Sequence, residues 1–152
     1  MNITFTKTET GCRTCCRRGD GTDIAWDGVM SGSIPHDLVH WIVEDHFQLK
    51  ASFYGHIESG HDPYSVNELA NRDSELSQTE LLVLCLQGEL AAVEGITHAP
   101  PETIRGLYGM RYPDYCSETD VSRLVETASD AIDQWKAMGC GESLQRQFMS
   151  DR

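Results

Sequence analysis

An α+β fold follows from three features of the 152-residue chain. Residues 2–8 alternate apolar and polar side chains and are rich in β-branched members, the pattern of a strand with one face buried. Three later runs, 35–47, 79–94 and 119–138, instead repeat their apolar residues every three to four positions, the helical period. Gly19-Asp20-Gly21 lies between two further strand-like runs and marks a hairpin. The expected architecture is a small N-terminal antiparallel sheet of two or three strands packed on four to six helices. One domain is expected over residues 1–152, with a β-hairpin region in 1–30 and a helical region in 33–150.

Taken in order, strands are expected at 2–8, 12–17 and 22–27, followed by a loop from Gly28 to Gly32. The next helix, 35–47, has Ser33 as its candidate cap, Pro35 in its first turn and Asp37 near its positive end. Residues 48–57 fit either a helix-to-loop transition or a second short helix. Gly60-His61-Asp62-Pro63 breaks the chain, and Asp62-Pro63 can open a short helix over 63–71. After a polar loop at 72–76, Ser77-Gln78-Thr79-Glu80 matches a capping box ahead of Leu82, Leu86, Leu90 and Val93, with Gly95 as the stop. Pro101 can open a short helix over 102–108, leading to a tyrosine-bearing loop over 109–115. Ser117-Glu118-Thr119-Asp120 caps the clearest amphipathic helix. Its stripe is Val121, Leu124, Val125, Ala128, Ile132, Trp135 and Met138. A short polar helix is expected over 142–149.

A composition of 39% hydrophobic and 24% charged residues is that of a globular chain. The net charge of -12 repels phosphate, so direct nucleic-acid binding is not expected; Arg13, Arg17 and Arg18 form the only basic cluster. The same charge suits a basic protein partner, including one that normally holds nucleic acid. No apolar run is long enough to span a membrane, so the expected place is the cytoplasm, where the six cysteines stay reduced. Cys85 falls in an apolar helical run and suits the core. Cys12-x2-Cys15-Cys16 supplies half a zinc site without a second half, and on a strand Cys12 and Cys15 point to opposite faces.

Chemistry concentrates on the first helix. Leu38, Val39, Ile42, Val43 and Phe47 share one arc, and His36, His40 and Glu44 follow at four-residue intervals along its edge. Two imidazoles and a carboxylate form a zinc ligand set with an open fourth position. His36 and Glu44 stand about 12 Å apart along the axis, so one ion cannot reach both. The expected set is therefore His36 and His40 completed by His56, His61 or Asp62. The likeness to the His-Glu-x-x-His helix of zinc proteases is partial, because position 37 is Asp. In an enzyme, Asp37 or Glu44 would be the base or a supporting carboxylate. The other reading leaves both histidines as hydrogen-bonded members of the core border.

The segment Ile34-Pro35-His36-Asp37-Leu38-Val39-His40-Trp41-Ile42-Val43-Glu44 resembles a Pro-His-Asp-Leu-x-His-x-x-x-Glu stretch of small, uncharacterised bacterial proteins. The resemblance covers about the first third of the chain. It implies a strand pair before the helix, further helices after it, and a bacterial or phage setting. It carries no activity. The leading expectation is an acidic binding protein, without a cofactor, that occupies a basic surface of a partner protein. A phage-borne inhibitor of a nucleic-acid-handling defence complex, of the anti-CRISPR kind, is one such protein. The alternatives are a metal-dependent hydrolase that holds zinc or another divalent metal on His36 and His40, and a protein whose histidines are structural only.

Overall fold

A computed structural model describes residues 1–70, 72–95, 112–113 and 115–149. Its elements are β1 (Asn2–Lys7), β2 (Cys12–Arg17), β3 (Asp23–Gly28), β4 (Met30–Ser31), β5 (Ile34–Pro35), α1 (His36–Phe47), α2 (Phe53–Glu58), α3 (Pro63–Leu69), α4 (Ser74–Val93), α5 (Glu118–Ala137) and β6 (Ser143–Gln147). The class is α+β, as expected. The helix expected over 102–108 lies outside the described residues, as do 109–111 and 114 of the tyrosine loop.

Alternation sets the sheet. On β1 and β2 the residues Ile3, Phe5, Cys12, Thr14 and Cys16 are buried, while Arg13 and Arg17 between them are exposed. The register pairs Ile3 with Cys16 and Phe5 with Thr14, so the buried residues share one face. The sheet order is β3-β2-β1-β6, and β4 and β5 form a separate two-stranded ribbon where a plain loop was expected.

The fourth strand corrects the helix expected over 142–149. Residues 143–147 instead pair with the outer edge of β1, Phe5 opposite Leu144 and Asn2 opposite Gln147. The open edge of β1 offers a full ladder of backbone partners, which decides the conformation of a segment with one apolar residue in five. Gly141, at φ 88°, makes the turn into it, and Phe148 beyond it is buried.

The helices close the other side. Leu38, Val39, Ile42 and Val43 of α1 are buried against α4 and α5, with Leu82, Leu86 and Leu90 from α4 and Leu124, Ala128, Ile132 and Trp135 from α5. Cys85 is buried with them. Each such large apolar side chain stabilises the fold by about 1.5–3 kcal/mol.

Two helix starts differ from expectation. For α1, Pro35 occupies the cap position and makes no side-chain cap bond; the His36 N–H donates to the Val29 carbonyl at 2.9 Å. Ser33 hydrogen-bonds Glu94 instead of capping. For α4, the cap is Asp73, whose Oδ1 accepts from the N–H groups of Glu75 (2.9 Å) and Leu76 (3.1 Å). A carboxylate at the positive end of a helix outcompetes the Ser77 hydroxyl, which lies one turn inside and donates to the Asp73 carbonyl. Glu80 is thereby released from a capping role. α3 starts at Asp62-Pro63 and α5 is boxed by Ser117 and Asp120, as the sequence predicts, and Asp62 forms a further box with Ser65. No described helix is long and apolar enough to cross a membrane.

Candidate metal centre

Four-residue spacing on α1 stacks His36, His40 and Glu44 on one side of the helix. They are not an exposed rim: His40 is 2% exposed and Glu44 0%, because α4 and the α1–α2 connection close over them. From α4, Glu80 comes in with Oε1 3.4 Å from His40 Nε2. His36 Nε2 lies 3.2 Å from the same nitrogen. One donor atom from each of His36, His40 and Glu80 falls within 4.8 Å of the others, the one such group among the described residues.

The far side of each ring also faces a polar group. His40 Nδ1 faces Glu44 Oε1 at 3.5 Å, within ion-pair reach, and neither atom makes a hydrogen bond among the described residues. Glu44 is itself held: its Oε2 accepts from the Ser52 hydroxyl and from the Tyr54 N–H at 2.9 Å. His36 Nδ1 lies 2.5 Å from the Gln87 side-chain amide. Rotating that amide brings its carbonyl oxygen to Nδ1–H and leaves the Nε2 lone pair free to bind. An imidazole fixed through one nitrogen presents the other in a set direction and tautomer.

Burial opposes charge on His40, but the carboxylates of Glu44 and Glu80 outweigh it and push the ring up to about 9. Burial, followed by the charge of His40, holds His36 below the usual histidine range. For Glu80, burial is outweighed by the His40 hydrogen bond, which holds the carboxyl below its usual range. The cluster therefore favours a positive charge at its centre, supplied by a proton or by a cation. Ligand atoms about 2.1 Å from a tetrahedral zinc stand about 3.4 Å from one another, which matches the His36–His40 and His40–Glu80 separations.

His36, His40 and Glu80 form part of the wall of a cavity of about 470 Å³, with Asp37, Trp26, Phe53 and Tyr64 on its other sides. Asp37 Oδ2 accepts from the Thr14 hydroxyl at 2.6 Å and the Trp26 indole N–H at 2.8 Å. Its Oδ2 lies where a side chain on Gly28 would begin, 2.5 Å from the position of a Cβ.

The structure thus brings His36 and His40 together as expected but completes them differently. His56 bonds Asp73 at 3.2 Å and meets His61 edge-on, and Asp62 caps α3; none of the three belongs to the group. Glu44 does not line the cavity but lies behind His40, whereas Asp37 does line it. Glu80 and Gln87 escaped the sequence reading because the first was assigned to a capping box. The available signal was their seven-residue spacing, which puts two polar side chains on one face of an apolar helix. Cys12 and Cys16 share the buried face of β2, away from Cys15, and burial pushes the Cys12 thiol up to about 11. No cysteine joins a metal-holding group among the described residues. No protein family, curated protein or solved structure matches the chain.

Proposed function

We propose that the protein is a metal-dependent hydrolase holding one divalent cation, zinc by its donor chemistry, between His36, His40 and Glu80. The observation that supports this is the convergence of two imidazole nitrogens and one carboxylate oxygen at a cavity wall, with the far nitrogen of His36 on Gln87 and that of His40 facing Glu44 at 3.5 Å. Two histidines and one carboxylate leave a fourth tetrahedral position for water, whose pKa falls to about 7 on such an ion. The cavity is of the size that takes small ligands.

Metal analysis of untagged protein tests this. The expected result is one zinc per chain and a higher melting temperature in zinc than in chelator. At free zinc a hundredfold above Kd the gain is about 2.7 kcal/mol. Glu80→Gln should lose most of the binding and keep the fold, since that side chain is already 32% exposed. Zinc far below one ion per chain, with unchanged melting in chelator, would overturn the proposal.

The charge of -12 favours a second reading, in which an acidic face occupies a basic surface of a partner protein. Glu118, Glu126, Asp130 and Asp133 stand exposed on α5 and would supply that face. An inhibitor carried by a phage fits this and fits the setting the first-helix resemblance implies. All six cysteines are free, which supports a reducing compartment such as the cytoplasm. Partner binding should weaken as salt rises and on charge reversal of those four residues; indifference to both would count against it.

A further inference from the structure

Asp37 is only 6% exposed, yet it borders the cavity. Both side chains that hydrogen-bond it, Thr14 and Trp26, are neutral, and both donate to the same oxygen, Oδ2. The first turn of α1 adds only a partial positive charge. Neighbouring His36 turns Nδ1 to the Gln87 amide and Nε2 to His40, and Arg13 on β2 is committed to Asp27 at 2.9 Å. A buried carboxylate ordinarily has a cationic partner, because desolvating an uncompensated charge is costly. Among the described residues that line the cavity there is no lysine or arginine; His40 is flanked by Glu44 at 3.5 Å and Glu80 at 3.4 Å, and Asp27 is paired with Arg13. Apart from the Asn67 amide, the remaining walls are aromatic or apolar. Trp26 packs edge-on against Phe53, and at the mouth Tyr64 is 80% and Val29 66% exposed. Aromatic faces beside a carboxylate attract an organic cation by both charge and surface burial.

We propose that this cavity takes the ammonium group of an amine carried on an apolar body, with Asp37 as counter-ion and Trp26 and Tyr64 flanking it. As a statement about substrate, it rests on the hydrolase proposal and places an amine beside the metal position. As a statement about cation binding, it stands without any metal.

The probes are benzylamine, its neutral relative benzyl alcohol and its anionic relative benzoate. Binding is measured by calorimetry on the full chain in chelator, with the Trp26 indole N–H resonance followed by NMR. A charge-assisted contact predicts benzylamine about ten- to a hundredfold tighter than benzyl alcohol, with benzoate weaker than both. Benzylamine should shift the Trp26 resonance of the unmodified protein, a readout that needs no variant. Asp37→Asn should abolish the preference, and Asp27→Asn should leave it intact. Equal binding of amine and alcohol, an unmoved Trp26 signal, or a preference that follows Asp27 would overturn the proposal. Zinc binding without amine preference would sink the anchor alone. Amine preference without zinc binding would sink the hydrolase alone.

Discussion

At Gly55 a methyl group has nowhere to go, since a Cβ there would stand 1.8 Å from the Lys50 carbonyl oxygen. Backbone cannot step aside as a side chain can, so Gly55→Ala should cost more than about 3 kcal/mol in chemical denaturation. Gly28→Ala meets the Asp37 carboxylate at 2.5 Å instead, and that group can rotate. A smaller loss of about 1–3 kcal/mol is expected, with the Trp26 indole N–H resonance displaced because its acceptor has moved. Glu44→Gln tests the support beneath His40. Removing the carboxylate that fixes Nδ1 should weaken zinc affinity by about ten- to a hundredfold, read by competition with a chelating dye. An unchanged affinity would show that Glu44 only fills the core. At this scale the sequence was partly legible. His36 and His40 are visible as a pair because both lie on one helix. Glu80 becomes their partner only through the docking of α4 on α1, which no local pattern records.

The last helix shows an element whose start was legible in full. Ser117 and Asp120 exchange hydrogen bonds across its first turn, and His46 Nε2 lies 2.9 Å from Asp120 Oδ1. Ser117→Ala should cost about 1 kcal/mol in melting experiments. The Ser117 hydroxyl, followed by His46, holds Asp120 down at about 2. Because this pKa is depressed on folding, its contribution is complete above the ordinary carboxylate range and is lost as pH falls toward 2. Melting temperature should therefore drop between pH 5 and pH 2.5 by more in the unmodified protein than in Asp120→Asn. Equal drops would remove this carboxylate from the acid response. Strands β1 to β3 were legible for a similar reason, since alternation and a glycine turn are local signals. Strand β6 was not. Its five residues carry one leucine, and only the bare edge of β1 makes them extended.

Across the whole molecule, the edge that β6 covers joins the first described segment to the last. The Met1 amino group donates to the Phe148 carbonyl at 2.8 Å, and Phe148 is 3% exposed among core residues. Phe148→Ala should cost about 3–5 kcal/mol, combining lost burial with a cavity and loosened β6 pairing. Protected amides on the β1 edge should exchange faster in that variant; unaltered exchange would show that backbone pairing alone holds the strand. This arrangement also bears on biosynthesis. As the chain leaves the ribosome, β1 can zip onto β2 and β3 early, yet its second neighbour is translated roughly ten seconds later. Throughout that interval a row of unpaired amides and carbonyls stays open to any other nascent chain, the hazard that an uncovered sheet edge carries.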